Sequence, residues 1–425
     1  MLHTYKISNR NIVQAIVFTV IVFNNIVQQY ISVMSYLDEL ICIGSLIYIF
    51  GFKKIKIEYM QILSYTAILI LLGLVGNIIF GYQDSFIGIM KDILGLLKIP
   101  VISVACMMYA DKNKHMDEAN SVASYLSKIY LTILSFCAFI TLFKDIGLSY
   151  DLRHGIYSFR FLFGHPTFLV LAVVIMSAVI VANGPTKGDY FFIFEAIFLL
   201  IMSMRDKGFG YALLLCIVLF LIPNAKKIKK WWIPIAIFGA LIISKGKIQE
   251  YMSWSWSPRY ELYRSGLKII RDCFPFGSGM ATFSSYISGE YYAKTYYIYG
   301  FFGRNAPVNP GNFADLGDAG LPYFVQFGLI GIVLSIFILY KIIKMCKKKY
   351  SYFPWKFKAS CLLLGYMGIG SLVENVFTNE SGATIPLVLF IFLGSYGEKI
   401  FDGKQLLARE GALIISDESN KQANN

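Results

Sequence analysis

The sequence predicts an all-α polytopic membrane protein with about twelve transmembrane helices and one large, partly helical loop on the outer side. Of its 425 residues, 56% are hydrophobic and only 15% are charged, whereas about a quarter of a soluble domain is charged. Apolar runs close to the roughly 20 residues that a helix needs to cross a bilayer recur along the chain. This composition excludes a soluble multidomain protein and a disordered chain.

The apolar runs locate the expected spans. They cover approximately residues 11–30, 34–52, 60–80, 86–110, 127–146, 163–183, 189–204, 209–224, 231–245, 321–341, 357–376 and 384–397. Polar side chains interrupt two of them, since Asn24 and Asn25 lie in the first run and Asp38 and Glu39 in the second. These two runs are therefore the least regular of the twelve.

The lysines predict the orientation of the chain. Lysine-rich loops alternate with lysine-poor ones, and they contain Lys53, Lys54, Lys56, Lys112, Lys114, Lys226, Lys227, Lys229, Lys230 and the segment from Lys341 to Lys358. Because lysine-rich loops stay in the cytoplasm, we expect both termini there, in agreement with an even number of spans. Loop orientation then explains the net charge of +13, and we expect no nucleic-acid partner.

The chain divides into four expected regions. Residues 1–244 hold spans one to nine, 245–320 form the outer loop, 321–398 hold the last three spans, and 399–425 form a cytoplasmic tail. The loop contains an amphipathic run from Tyr260 to Ile270 and then a Pro- and Gly-containing break from Cys273 to Gly279, which is typical of a turn. Loops of this length usually carry function.

The arginines are not distributed between the two sides of the membrane as the lysines are. Seven of the nine arginines fall in segments predicted to be outside or at the outer boundary: Arg153, Arg160, Arg205, Arg259, Arg264, Arg271 and Arg304. Arginine presents a planar fork that binds phosphate or carboxylate in a bidentate manner, so the set predicts an outer site for an anionic ligand. The alternative is that these arginines bind lipid headgroups or local acids, namely Asp151, Glu261, Asp272 or Asp315.

Aromatic and acidic residues of the loop are further candidates. Tyr291, Tyr292 and Tyr296 lie in a tyrosine-rich stretch, and a flat apolar ring with a hydroxyl suits stacking on sugars. The alternative is an aromatic belt at the membrane interface. Asp315 and Asp318 end the loop immediately before the tenth span, so either carboxylate is expected close to the arginines. A helix cap or a salt bridge is the competing interpretation of Asp318.

At this point the sequence resembles the bacterial O-antigen polymerase and O-antigen ligase superfamily (Wzy and WaaL types). Members have about a dozen spans and a large outer loop with an arginine, an amphipathic helix and a Pro/Gly break, followed by Gly-x-x-Gly in the next span. The residues that carry the resemblance are Arg259, Pro275, Gly277, Gly279, Gly328 and Gly331, with Arg205 at a mid-chain span and Arg153 and Gly164 as an Arg-x10-Gly pair.

One departure separates the two branches of that superfamily. Ligases carry a histidine eleven residues before the first glycine of Gly-x-x-Gly, and here Gly317 stands at that position with Asp318 next. The missing histidine favours a polymerase, in which an acidic residue is often found at this place.

The resemblance implies a metal-independent glycosyltransferase without a cofactor, in the bacterial cytoplasmic membrane. It implies polymerisation of undecaprenyl-diphosphate-linked repeat units into O-antigen, capsule or exopolysaccharide, with a lipid-linked glycan as donor and another as acceptor. A chain-length regulator and a flippase are the protein partners it implies. The arginines would stabilise the departing diphosphate, and a carboxylate would act on the acceptor hydroxyl.

The expected roles follow from that chemistry. Catalysis is assigned to Asp318, Arg205 and Arg259. Binding of the diphosphate is assigned to Arg153, Arg160, Arg205, Arg259, Arg264 and Lys98, the last because a lysine within a span is costly unless it is paired or faces a cavity. Asp315 and His165 are second candidates for the base, although a histidine before a proline at a helix start is more often structural.

A transporter is the main alternative of another class, for example a flippase for lipid-linked oligosaccharides. Twelve spans suit it, but transporters tend to have two related halves, charged residues within spans and short outer loops. This chain has a loop of about 75 residues (245–320) and no visible repeat, which favours the polymerase.

Overall fold

The computed structural model describes residues 9–113, 116–153, 155–221, 258–301 and 310–394. The ninth expected span at 231–245, the first part of the long loop, Arg304 and the tail at 399–425 lie outside the described residues. The expected spans at 209–224 and 384–397 are described up to residues 221 and 394, and the other expected spans and most of the candidate residues are included.

The described chain is almost entirely helical. Its α-helices are α1 (Asn9–Tyr30), α2 (Leu37–Phe50), α3 (Ile57–Phe80), α4 (Phe86–Lys112), α5 (Met116–Phe143), α6 (Pro166–Ala182), α7 (Asp189–Met202), α8 (Asp206–Cys216), α9 (Pro258–Asp272), α10 (Tyr286–Glu290), α11 (Lys294–Ile298), α12 (Gly328–Tyr350), α13 (Pro354–Gly370) and α14 (Glu380–Leu387). One two-stranded hairpin, β1 (Ser149–Arg153) and β2 (Ile156–Phe159), is the sheet found among these residues. The sequence analysis did not predict this hairpin.

The helices confirm a helical membrane protein at a coarse level. Within the described residues, six helical segments are long and apolar enough to cross a membrane: Asn9–Tyr30, Ser32–Phe50, Ile57–Phe80, Phe86–Lys112, Asp117–Phe143 and Leu321–Tyr350. Two shorter apolar helices, Pro166–Ala182 and Glu380–Phe392, accompany them. The number of twelve spans stays a prediction. The eleventh expected span is shorter than its apolar run, because α13 ends at Gly370 and the chain then turns irregularly up to Asn379.

Helix α6 forms the centre of the bundle. It is apolar all round and almost every residue in it is buried, from Leu169 to Ala182, as expected for a helix enclosed by others. Helices α5, α7 and α13 pack around it. The outward faces of other helices expose large apolar side chains, such as Phe136 on α5 and Ile78 on α3, which suits contact with lipid.

The long loop is part of the bundle rather than a separate lid. Its turn after α9 places Gly277 and Gly279 at positive φ angles of 80° and 102°. A Cβ at Gly279 would lie 2.5 Å from Asn77 N on α3, so only glycine fits there. Asn77 Oδ1 accepts from Met280 N at 2.7 Å, and Asp92 Oδ2 of α4 accepts from Ala281 N at 2.8 Å. These bonds fix the loop against α3 and α4.

Candidate functional site

The β hairpin holds the first group of candidate residues. Asp151 on β1 accepts a hydrogen bond from Ser158 on β2. Asp151 also forms ion pairs with Arg153 Nε at 2.8 Å and with Arg205 Nη2 at 3.0 Å. Because Arg205 is the N-cap residue of α8, the hairpin is joined to the start of that helix.

Tyr150 lies between two guanidinium groups. The Cζ atoms of Arg160 and Arg205 are 5.7 and 5.4 Å from its ring centroid, within the range of cation–π contacts. The His165 ring packs edge-on against it at 4.7 Å. We call Tyr150, Asp151, Arg153, Arg160 and Arg205 the hairpin cluster.

The hairpin cluster has more donors than the protein satisfies. Arg153 and Arg205 share one carboxylate, Asp151, while Arg160 donates from Nη1 to Gly164 O at 3.3 Å. Arg160 Nε and Arg205 Nε are both buried, and neither has a hydrogen-bond partner in the part of the chain that the structure describes. Leaving a buried charged donor unsatisfied costs free energy, so the two groups are suited to an anion that binds between them.

The second group is an ion pair within the long loop. Arg259, near the start of α9, donates from Nη2 to Asp318 Oδ2 at 3.0 Å and from Nε to Asp318 O at 3.2 Å. The segment after Asp318 is anchored, since Gly320 N donates to Ser371 O at 2.9 Å. The structure therefore joins two residues that the sequence predicted to be catalytic.

A buried pair lies beside both groups, and the sequence analysis missed it. Lys207 Nζ contacts Glu374 Oε2 at 2.7 Å, and the Lys207 side chain is only 5% exposed. Lys207 follows Arg205 by two residues on α8, whereas Glu374 belongs to the loop that Gly320 contacts. Glu374 Oε1 is buried and accepts no hydrogen bond from the described residues. The one available signal was an acid inside the apolar run 357–376.

The electrostatics connect these groups. Burial together with the charges of Asp315 and Glu374 raises the pKa of Asp318 to about 6, although Arg259 opposes the shift. Burial and the positive charges of Arg205 and Lys207 lower the pKa of His165 to about 4. Asp318 is thus able to gain or lose a proton near neutrality, while His165 stays uncharged.

These electrostatic effects link three ion pairs, because Glu374 acts on Asp318 and both Arg205 and Lys207 act on His165. We call them the three-pair site: Asp151–Arg205, Lys207–Glu374 and Asp318–Arg259. Scans against family models, curated proteins and solved structures found no match. The chemistry of the site therefore rests on its own side chains.

The acid-pairing alternative for the arginines is also observed. Besides the pairs with Asp151, Arg264 Nη1 contacts Glu261 Oε1 at 3.3 Å and Arg271 Nε contacts Asp272 Oδ1 at 2.8 Å. The Arg264 side chain is exposed and lines a surface groove between α9 and the start of α12, and its binding of diphosphate stays a prediction.

Lys98 is not placed at the anion site, which corrects the prediction for this residue. Its ammonium group contacts Asp38 Oδ2 at 2.6 Å, Glu39 Oε1 at 2.8 Å and Thr378 O at 2.9 Å. The side chain is 4% exposed. The ammonium group therefore donates all three of its protons inside the helix bundle. Its two carboxylate partners compensate the free-energy cost of burying its charge.

The tyrosines predicted to stack on sugar divide into two groups. Tyr296 is fully buried, with its hydroxyl bonded to Ser288 Oγ at 2.6 Å, so the stacking prediction is wrong for this residue. Tyr291 and Tyr292 line a surface cavity of about 300 Å³ together with Tyr82, Asp84, Lys294 and neighbouring residues. For Tyr291 and Tyr292, stacking on sugar stays a prediction.

The remaining candidates for the base are His165 and Asp315. His165 is the N-cap residue of α6, and its Nδ1 accepts from Thr167 N at 3.2 Å, in agreement with the structural interpretation. Asp315 is exposed in a short 3₁₀ helix, Ala314–Gly317. The negative charge of Asp315 helps to raise the pKa of Asp318. Asp318 contacts Arg259 and is therefore the better placed of the two carboxylates.

The pKa of Asp318 predicts opposite effects of pH on activity and on stability. If its carboxylate must be ionised, activity in membrane vesicles should fall about tenfold per pH unit below pH 6. A folded-state pKa of about 6, above the ordinary aspartate value of 3.8, means that the folded protein binds the proton more tightly than the unfolded chain does. This group should therefore add stability as the pH falls through 6. A flat rate between pH 5 and 7.5 would contradict the role of Asp318 as a base.

Proposed function

We propose that this protein polymerises lipid-diphosphate-linked oligosaccharide repeat units by glycosyl transfer at the outer face of the bacterial cytoplasmic membrane. The observation that carries the proposal is the three-pair site, in which Arg205 and Arg259 lie beside acids at one end of an apolar helix bundle. A diphosphate linked to a lipid needs cationic donors next to a membrane, and a hydroxyl acceptor needs a carboxylate. Arg205 and Arg259 are also among the residues that carry the resemblance to O-antigen polymerases.

The arrangement supports a division of roles. The bond from the anomeric carbon to the diphosphate oxygen breaks, and its electron pair stays on the diphosphate. The hairpin cluster supplies unsatisfied donors, Arg160 Nε and Arg205 Nε, that suit this growing charge. The acceptor hydroxyl oxygen bonds to the anomeric carbon, and its proton passes to Asp318, whose carboxylate remains 40% exposed.

A groove next to the Arg259–Asp318 pair supports a lipid-linked substrate. It has a volume of about 470 Å³ and is lined mainly by apolar side chains of α9 and of the segment that leads into α12, including Leu267, Leu321 and Ile332. Tyr263, which also lines it, donates to Leu372 O at 3.2 Å near Glu374. An isoprenoid chain placed here would keep its diphosphate within reach of Arg259.

Deletion of the gene tests the proposal. If the protein is the polymerase, the deleted strain should make single-repeat glycans and no long-chain ladder on a glycan gel. The ladder should return when the gene is supplied on a plasmid. A strain that loses every lipid-linked repeat at the outer face would instead indicate a flippase, and a normal ladder would refute the polymerase.

One observation favours the transporter as the second candidate. Lys98 is buried among acids in the middle of α4, and ionisable residues inside a span often mark a transport path. The same deletion distinguishes the two, because a transporter defect removes the substrate from the outer face, whereas a polymerase defect leaves it there unlinked.

A further inference from the structure

A small cavity lies between α1, α2 and α14, away from the three-pair site. Its polar lining consists of Asn24, Asp38, Glu380 and Thr384, and the remainder is apolar. The volume is about 10 Å³, which is room for one water-sized occupant. None of these residues takes part in the proposed glycosyl transfer.

The side chains around this cavity carry an excess of negative charge. Asp38, Glu39 and Glu380 provide three carboxylates, and Lys98 is the cation that contacts two of them. Lys98 is shared by Asp38 and Glu39, so Glu380 is the carboxylate of the three that contacts no cation among the described residues. Buried charges of one sign are costly unless something neutralises them, so the site requires a bound proton or a bound cation.

The hydrogen bonds show which kind of occupant fits. Lys98 donates all three protons elsewhere, to Asp38, Glu39 and Thr378 O. Asn24 Nδ2 donates to Glu380 Oε1 at 2.9 Å. The ammonium and amide donors beside the cavity are therefore committed, the Thr384 hydroxyl can still donate, and Asn24 Oδ1 remains as an acceptor without a donor.

Asn24 supplies an independent sign of a missing ligand. The residue is 5% exposed, and its Oδ1 atom is buried without a hydrogen-bond partner in the described part of the chain. Water would donate to two acceptors but would not neutralise the negative charge of the carboxylates. A cation is coordinated by every oxygen that it contacts, and amide, hydroxyl and carboxylate oxygens suit hard cations.

We propose that this cavity is a binding site for one dehydrated Na⁺ ion, held by Asn24 Oδ1 and by the carboxylates of Asp38 and Glu380. Asp38 is already paired with Lys98, so the charge of Glu380 is the one left to balance, and this favours a monovalent ion. The ion joins α1 and α2 to α14, which follows the loop of Glu374. The site is independent of the polymerase proposal.

The test is a cation titration of the purified full-length protein in detergent at pH 7.5 and constant ionic strength. Replacing choline chloride by NaCl should raise the melting temperature in a saturable way by about 2–4 °C, and equilibrium binding of ²²Na⁺ should approach one ion per chain. Equal melting in Na⁺ and choline at every concentration, without ²²Na⁺ binding, would overturn the proposal. Melting that depends on pH alone would assign the site to a proton instead and also refute it.

Two variants make the test specific to the cavity. Asn24→Leu removes the unpartnered oxygen, and Glu380→Gln removes one charge while retaining shape, so both should abolish the Na⁺ response. Glu290→Gln is the matched control, because Glu290 is an exposed acid paired with Lys91 and should respond as the wild type does. A full Na⁺ response in Asn24→Leu would exclude this cavity even if Glu380→Gln fails to fold.

Discussion

Replacing Arg259 by alanine is expected to abolish long polymer, with a fall in rate of about 10²–10³. Two losses combine in this variant. The cation that would stabilise the leaving diphosphate disappears, and Asp318 loses the neighbour whose charge opposes its raised pKa. More of Asp318 would then be protonated at neutral pH, so the base would weaken together with the anion site. Chain length on a glycan gel and transfer in vesicles with purified lipid-linked repeats are the two measurements.

Conservative and control variants separate charge from fold. Arg259→Lys should restore only part of the activity, because an ammonium group lacks the planar fork that binds in a bidentate manner. Arg271→Ala, near the other end of the same helix, removes a 77% exposed arginine paired with Asp272 and should leave polymer length unchanged. Full activity in Arg259→Ala with normal expression would remove this residue from the mechanism.

Lys98→Met is expected to be the most destabilising single substitution in the bundle, at about 3–5 kcal/mol. The change leaves two partly buried acids, Asp38 at 13% and Glu39 at 31% side-chain exposure, without their shared cation. The penalty comes from two uncompensated carboxylates rather than from lost packing, since methionine fills nearly the same volume. Unfolding of the detergent-solubilised protein, followed by heat or by denaturant, measures the loss.

A second lysine on α4 provides the control for this substitution. Lys91 is 42% exposed and pairs with Glu290, and exposed ion pairs contribute little to stability. Lys91→Met should therefore change the free energy of unfolding by less than about 1 kcal/mol. Equal effects at the two positions would mean that burial does not determine the cost. The double variant Lys98→Met with Asp38→Asn should recover part of the loss.

The fold was predictable where apolar periodicity and length dominate. The long helices α1, α3 and α4 follow their apolar runs closely, whereas α5 begins at Met116, well before its expected run at 127–146. Helix α9 matches the amphipathic run from Tyr260 to Ile270. The hairpin and the early end of α13 were not predictable from hydrophobicity, because both depend on polar contacts between distant segments. Residues 149–159 form a hairpin whose Asp151 pairs with Arg205, the N-cap residue of α8. The spacing of these residues along the chain does not reveal this contact.

The candidate site was predictable in residue type but not in partnership. The unequal distribution of arginine identified Arg205 and Arg259, and the last acid of the loop identified Asp318. Lys207 and Glu374 were missed because an apolar run hides single charges, and their contact spans 167 residues. Tyr296 and Lys98 were misassigned for the same physical reason, since burial follows from packing and a pattern in one segment does not show what packs against it.

The attachment of the long loop to α4 has a consequence for the order in which the chain is synthesised. Asp92 leaves the ribosome 189 residues before Ala281 and 234 residues before Gln326, its two hydrogen-bond donors. At about 5–20 residues per second, α4 waits roughly 10–40 s before the first donor is made. During that interval its carboxylate has neither donor. Nascent chains that stop before Ala281 should therefore be prominent substrates of membrane proteolysis, whereas chains that extend past Gln326 should escape it.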